Sequence, residues 1–512
     1  MGHRAEQMRI LLVTYEFTYA PFSGNGMLSR SIAKSLLSLG CSLRVICCRP
    51  ADMPGLAADN HLDDQEVPVE SLELWPVDLP ESAGWRRLND KSGWQEYWVG
   101  AAMLGPQAVE WAPEAVIAVD WTGAGAWRGM KAAWTNGGAP PLCYVNFRVY
   151  SSGVPPEAAA WYDEKEKDAL AEANLVVALS PADQKSLTTL LVEHFASAKT
   201  SALLSRIQSR PPPPVKILMP PLRADVQALA QPAVLPFPAV MEVGSTPQGV
   251  SPPKAKAISF RSKARREKAA AAAAAEAANV EQAKEAAAAA VAAAAPKPDL
   301  PAEFWAAVGT AGPTRRFVTC AVRLSREKNP MGFVHMVEGA LQALRANGLV
   351  PLLCGAAAEA EYAEAVKVRL REVAPEAVII EEFLAPPALA VVFSATALNV
   401  HPCPYDAFGM TLVEAAAFGA PSLLNGGGTV GAAQLLPPRD DASFECRFDS
   451  ATPQELAARL SSLLSNTTKL EAVGSMARFR ALRWTERAYG QSLLVFLRSL
   501  RAAGHPGARV EL

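Results

Sequence analysis

The chain has no apolar run near the roughly 18 residues that cross a bilayer, although 50% of its 512 residues are hydrophobic. Its start, MGHRAEQM, leads straight into RILLVTY, without the basic segment, apolar stretch and cleavage site of a secretory leader. Glu6 stands where myristoylation after a Met-Gly start prefers Ser or Thr. An excess of either charge is missing too. Lys and Arg number 49 against 51 Asp and Glu, a net charge of -2, which argues against a protein held on nucleic acid or an anionic membrane by bulk charge. The eight cysteines are scattered, and the adjacent Cys47 and Cys48 fall in an apolar strand pattern rather than a metal-type spacing. The six histidines are far apart, so there is no HExxH or paired-His site, and His335 and His401 read as packed or capping residues. There is no DxD to clamp a cation on a diphosphate and no GxxxxGK(S/T) phosphate loop. The expectation is a cytoplasmic protein in a reducing setting, with no metal and no bound cofactor.

What is present is organised as two α/β blocks. At roughly 150 residues per domain the length allows about three units. In the first block RILLVTY (9–15), SLRVICC (42–48), AVIAVD (115–120), PLCYVN (141–146) and NLVVALS (174–180) read as buried strands, with helical stretches between them. Leu28, Ile32, Leu36 and Leu39 mark the face of the first helix, which Gly40 closes. A second block has strand runs at 316–324, 349–354, 377–383, 397–401 and 421–425, and Asn329-Pro330 signals a helix start. Continuous apolar strands alternating with helices imply parallel sheets covered on both faces. Between the blocks, 226–312 is Pro-rich and then Ala-rich, with high helix propensity but no stripe of large apolar residues, and reads as a tethering insertion. The expected division is therefore 8–225, 226–312, 313–483 and a closing amphipathic helix in 484–512. Ligands in doubly wound sheets sit at the carboxyl ends of the strands, in a cleft between such lobes.

Three segments could carry chemistry there. In HPCPYDAFGMTLVEAAAFGAPSLLNGGG (401–428) a strand ends at His401, a loop carries Asp406, and Phe408-Gly409 opens a helix that Gly419 stops. The N–H groups of Gly409, Met410 and Thr411 suit a phosphate. Glu414 follows Asp406 by eight residues, so the two carboxylates either face one cleft and take sugar or ribose hydroxyls, or cap the helix and lie on a solvated face. In VRLSREKNP (322–330) Arg323 ends a strand and Lys328 precedes a helix; two cations can hold the charge of a departing diphosphate. In VTYEFTYAPFSGNGMLS, Gly24 and Gly26 either let the backbone approach a ligand or form a plain turn. Gly123, Gly125 and Gly129 mimic a dinucleotide loop, but the next strand ends at Asn146-Phe147 with no acid for a ribose, which argues against NAD.

Together these segments resemble the GT-B glycosyltransferases, in particular the retaining glycosyltransferase family four (glycosyl transferases group 1). That family's acid, seven residues, then Glu, with Phe-Gly after the first acid, is matched by Asp406 to Glu414, with Asp in place of the usual Glu. Its Arg…Lys stretch is matched by Arg323 and Lys328, with Val322 and Asn329 where Gly is usual. Its first-lobe glycine loop is matched by Gly24 and Gly26. Many relatives carry a His at the end of the strand occupied here by Asn146, Phe147 and Arg148. The resemblance implies two Rossmann-like doubly wound lobes facing a central cleft, with the low-complexity insertion between them. It further implies that Glu414 binds the nucleotide ribose, Asp406 the transferred sugar, and Arg323 and Lys328 the diphosphate, with Phe408, Gly409, Met410 and Thr411 around it and Gly24 and Gly26 approaching from the other lobe.

The first lobe binds the acceptor in such enzymes. Nine of the 11 tryptophans lie in it, and Trp85, Trp94 and Trp98, with Asp120 and Arg148, are candidate acceptor contacts. Core packing is the competing reading for the tryptophans, and an ion pair with an acid is the competing reading for Arg148. The expected activity is transfer of a sugar from a nucleotide diphosphate, UDP being the commonest carrier, to an unidentified glycan, lipid or small-molecule acceptor. A catalytically silent nucleotide-sugar-binding or scaffold protein is the alternative. No nucleic-acid partner is expected, and peripheral membrane contact stays open.

Overall fold

The computed structural model describes residues 7–19, 23–51, 61–62, 65–83, 92–135, 138–152, 156–198, 212–231, 298–308, 315–381, 384–438 and 441–503. Most of the 226–312 insertion and Trp85 lie outside them. The chain divides into two compact units, Met1–Gln227 with Pro301–Leu512, and Ala228–Leu300. The first unit contains both sheets.

The first sheet is parallel and has, among the described residues, the order β5-β2-β1-β6-β7-β8-β9. Its strands are β1 (Arg9–Val13), β2 (Ser42–Pro50), β5 (Leu72–Leu79), β6 (Ala115–Val119), β7 (Leu142–Val145), β8 (Leu175–Ala178) and β9 (Val215–Ile217), while β3 (His61–Leu62) and β4 (Gln65–Glu66) form a separate small ladder. The order reverses between β1 and β6, which is the switch point where such sheets open a crevice. Residues alternate across it: Leu11 and Val13 face one core with Trp94, Trp121 and Trp127, and Ile10 and Leu12 face another with Leu28, Ile32 and Leu36. Helix α1 (Gly24–Ser38) ends at Gly40, whose φ of 81° only glycine adopts cheaply. Helices α2 (Ser92–Met103), α3 (Gly105–Trp111), α4 (Asp120–Met130), α5 (Pro156–Glu172) and α6 (Pro181–Ala198) follow. The glycines that mimic a dinucleotide loop have a packing cause. A Cβ at Gly123 would lie 2.4 Å from the Val13 carbonyl oxygen, and one at Gly125 2.6 Å from the Trp98 ring, so α4 can seat on β1 and α2 only without side chains there.

After α7 (Ala224–Ala230) and α8 (Ala302–Val308) the second sheet has the order β12-β11-β10-β13-β15-β17, again parallel. Its strands are β10 (Phe317–Ala321), β11 (Val350–Cys354), β12 (Val378–Ile380), β13 (Thr396–His401), β15 (Ser422–Asn425) and β17 (Phe444–Cys446), while β14 (Tyr405–Asp406) and β16 (Thr429–Val430) pair with each other. Its switch point lies between β10 and β13. Helices α9 (Pro330–Ala346), α10 (Ala360–Val373), α11 (Pro386–Ser394), α12 (Met410–Ala417), α13 (Pro453–Leu464) and α14 (Thr467–Arg483) cover it. Asn329 caps α9 as its sequence position predicts, its side chain accepting from Gly332 N at 3.2 Å. The closing helix α15 (Glu486–Ala503) packs on the first lobe. Tyr489, Leu493 and Leu497 are fully buried against the α1 side, and Ser31 Oγ donates to Glu486 Oε1 at 2.7 Å. The eight cysteines are unpaired, seven of them buried, and no helix among the described residues is long and apolar enough to cross a membrane.

Candidate active site

The second-lobe switch point gathers a charged cluster. Lys328, in the turn that follows β10, places its Nζ 3.1 Å from Asp406 Oδ2, and His401 Nε2, at the end of β13, lies 3.3 Å from the same oxygen. Glu327 sits behind them, 3.9 Å from Lys328 and 4.0 Å from Arg323. Arg323 is half exposed. Burial alone would raise the Asp406 carboxyl, but Lys328 and His401 overcome it and hold the group well below the usual carboxylate range. Burial likewise works against the Lys328 ammonium, and Asp406, with Cys403 and Glu327, reverses that effect, so its pKa rises.

The backbone around Asp406 is held by glycines. A Cβ at Gly428 would lie 2.3 Å from the Pro404 carbonyl oxygen, and one at Gly431 2.2 Å from that of Ala407. The glycine run therefore brings β16 against β14. Gly409 (φ 90°) turns the chain into α12, and no side chain caps that helix, which leaves its first N–H groups to a ligand or to water. Phe408 is buried, and Met410 and Thr411 are half-buried at the same end.

Glu414, the second acid of the motif, has a partner that the sequence did not name. It is buried in α12, and its ionic partner is Arg223 at 3.6 Å, not Lys328 or Arg323. Arg223 also pairs with Asp225 at 2.5 Å. Burial pushes the Glu414 carboxyl up, Arg223 works against the rise and Asp225 adds to it. Nothing in the local sequence marked Arg223, because it meets Glu414 only through the fold.

The first-lobe glycine loop is already occupied. Glu16, buried just after β1, accepts from Ser23 N (2.8 Å), Ser23 Oγ (2.7 Å) and Gly26 N (3.3 Å). A Cβ on Gly24 would meet Phe147 at 2.9 Å. The helix end proposed to approach a diphosphate thus carries an internal carboxylate, and Phe147 covers Gly24. Changing Glu16 to Gln keeps the acceptor oxygen but removes the charge at the helix dipole. We expect a stability loss of about 1 kcal/mol, measured by urea unfolding.

Beside this loop Asp120 is buried with a left-handed φ of 62°, an uncommon conformation for a non-glycine residue. Its Oδ1 accepts from Trp121 N at 2.9 Å and its Oδ2 from Asn25 Nδ2 at 3.4 Å. Burial raises its carboxyl to about 7, with hydrogen bonds from Trp121 and Tyr150 opposing the rise. Glu166 is similarly raised to about 7 by burial while accepting from Ser151 and the Tyr150 amide.

The two lobes meet at Arg148, which pairs with Glu327 at 2.9 Å and lies over the rings of Tyr150 and Tyr405. The ion pair expected as one of the two readings of Arg148 is present. Tyr405 donates to Asp183 Oδ1 at 2.9 Å across the same boundary. Trp94 favours the packing reading over the acceptor one. Trp94 is only 6% exposed and packs edge-on to Trp121 and stacked on Trp161, while Trp98 donates Nε1 to the Thr122 carbonyl. Trp94 is thus engaged in the core, while Trp98 stays half-buried at its edge.

His401, Cys403 and Asp406 bring one donor atom each within 4.8 Å of one another. The donor set does not suit a cation. Burial holds the Cys403 thiol up at about 12, its Sγ lies 2.7 Å from the Tyr405 carbonyl oxygen, and the Lys328 ammonium already sits on Asp406.

Two doubly wound lobes meeting at the carboxyl ends of their sheets define the GT-B glycosyltransferase fold. No family model matches the chain, and no curated protein matches it by sequence. The solved structures to which it is similar include sucrose-phosphate synthase from Thermosynechococcus elongatus (TM-score 0.58, 14% identity, 97% of this chain and 100% of that one). Two others are HepE from Anabaena in complex with UDP and glucose (0.56, 14%, 96% and 100%) and the UDP-forming α,α-trehalose-phosphate synthase from Burkholderia xenovorans in complex with glucose-6-phosphate (0.60, 12%, 96% and 100%). At these identities the likeness is one of fold.

Proposed function

We propose that the chain is a glycosyltransferase that moves a sugar from a nucleotide-diphosphate donor, UDP-linked, to an acceptor hydroxyl with retained configuration and without a bound metal. The observation that carries this reading is the Lys328–Asp406 pair, Lys328 buried and Asp406 half-buried, at the second-lobe switch point beside the uncapped start of α12. As the bond to the diphosphate breaks, negative charge grows on its oxygens. Lys328, the half-exposed Arg323 and the α12 N–H groups are fixed charges and dipoles that can hold it without reorganising. The anionic Asp406 can accept the sugar's hydroxyls, and the acceptor approaches on the face from which the diphosphate leaves. The neighbours solved with UDP, and the one described as UDP-forming, favour uridine as the carrier.

A second reading, a silent nucleotide-sugar-binding protein, is favoured by two contacts: Glu16 fills the first-lobe helix end, and Arg223 holds Glu414. A thermal-shift screen of nucleotide sugars followed by donor-consumption kinetics separates the two. The transferase reading expects a stabilising ligand that is turned over. A ligand at 100 times its dissociation constant adds about 2.7 kcal/mol, and Lys328→Ala should erase that increment relative to the variant's own unliganded transition. Binding with no turnover, unchanged by Asp406→Ala, leaves the silent reading standing.

A further inference from the structure

A cavity of about 290 Å³ lies where the loop after β8 meets the segment from β15 to β17. Its walls are residues 180–182 of the first lobe, the glycine-bearing 424–431 run, the turn at Ala433 and Gln434, and Glu445 of β17. Val430 is the ladder partner of Asp406, so one wall lies a single strand spacing, about 4.8 Å, from the backbone of the proposed reaction centre. The volume sits at the lower end of the roughly 300–1,000 Å³ of small-molecule sites, which suits one ring rather than a whole nucleotide.

The lining sets the chemistry. Among its described residues Glu445 is the one ionisable group, with no Lys, Arg or His. Ser180 is engaged with Asp183, and Asn425 braces its own loop by donating to Asp449 and the Pro402 carbonyl. Thr429, Gln434 and Glu445 line the space with side chains that make no described hydrogen bond. A hydroxyl, an amide and a carboxylate together accept and donate to sugar hydroxyls. A phosphorylated sugar would bring its two negative charges beside Glu445 with no cation in the lining to offset them.

We infer that this cavity binds an uncharged hexose ring, either the transferred sugar of the donor or a free acceptor; the assignment of those two roles rests on the transferase reading above. Saturation-transfer NMR of the full chain with glucose, galactose, mannose and N-acetylglucosamine, each beside its 6-phosphate, tests the class. Calorimetry with UDP, UDP-glucose, UDP-galactose and UDP-N-acetylglucosamine tests the source. At least one neutral sugar or UDP-sugar should bind, with its ring lost in Thr429→Trp, which fills the space. The exposed Glu445→Lys should strengthen binding of a 6-phosphate by about tenfold or more. If the ring belongs to the donor, Thr429→Trp weakens the UDP-sugar about tenfold and leaves UDP alone unchanged. If it belongs to the acceptor, the UDP-sugar is unchanged and the free sugar is lost. Preference of the wild type for 6-phosphates overturns the inference, as does a Thr429→Trp variant that alters neither ligand. Failure of every UDP compound to bind while a free sugar binds and is lost in Thr429→Trp sinks the transferase reading and leaves the cavity assignment in place.

Discussion

Lys328→Ala will unfold about 3 kcal/mol more easily than the wild type at neutral pH, because it leaves Asp406 charged in a largely buried site with only His401 beside it. The sign of its pH dependence follows from the depressed Asp406 carboxyl. In the wild type the stabilisation is present above the unfolded aspartate range, near 4, and is lost as the pH falls toward the lower folded value. The variant should therefore lose most of its acid-limb slope, and its deficit should shrink below about pH 4. Turnover should fall by about 10²–10³, the scale for removing one group that stabilises developing charge. The double variant Lys328→Met with Asp406→Asn distinguishes the two effects. Replacing both charges recovers much of the stability, while activity stays absent because neither role is restored. Urea unfolding across pH and donor-consumption rates on the wild type and the two variants provide the check. A Lys328→Ala protein as stable as the wild type would mean that the pair contributes nothing to the fold.

Much of the architecture was legible because buried parallel strands are continuous apolar runs, and each run read from the sequence in both blocks lies on a strand. The missed strands have physical reasons. β5 carries Pro76, which demotes a run, yet β5 is the edge of its sheet, where a missing N–H costs no ladder bond. β9 and β17 are three residues long and carry Lys216 and Glu445 in their middles, so neither shows an apolar period. At the site, Lys328 and Asp406 could be set in one cleft by the family resemblance, since Lys328 lies in the turn after β10 and Asp406 in the loop after β13, beside the same switch point. Glu16 and Arg223 could not. Glu16 reads as an ordinary loop acid until the fold turns Ser23 and Gly26 onto it, and Arg223 meets Glu414 from the other side of the insertion in the chain. Composition could not separate the two readings of Trp94, because aromatic richness is the same whether rings pack on each other or wait for a sugar.

Asp120→Asn should stabilise the protein at alkaline pH. The Asp120 carboxyl is raised from 3.8 to about 7, first by burial and then by Glu16, with Trp121, Tyr150 and Arg148 opposing the rise. A carboxyl raised on folding contributes stability that is complete below its unfolded value, near 4, and lost as the pH climbs to the folded value near 7. The interval between those limits corresponds to about 4 kcal/mol. The wild type should therefore weaken from about pH 4 to about pH 7, where the unfolded chain has released a proton that the folded chain retains. The substituted asparagine retains an oxygen for the Trp121 N–H and carries no charge, so the variant should be flatter over that range. Part of the slope will persist, since Glu166, also raised to about 7, lies in the same buried network through Tyr150 and Ser151. Adding Glu166→Gln should remove most of the remainder. If Asp120 also receives an acceptor hydroxyl, Asp120→Asn will raise KM for the acceptor while leaving donor affinity as it was, a split that a purely structural role does not produce. Unfolding free energies at about pH 5 and about pH 8, on either side of the folded value, decide the first point for the wild type and both variants. A slope unchanged in Asp120→Asn would show that the carboxyl is ionised in the folded protein at neutral pH.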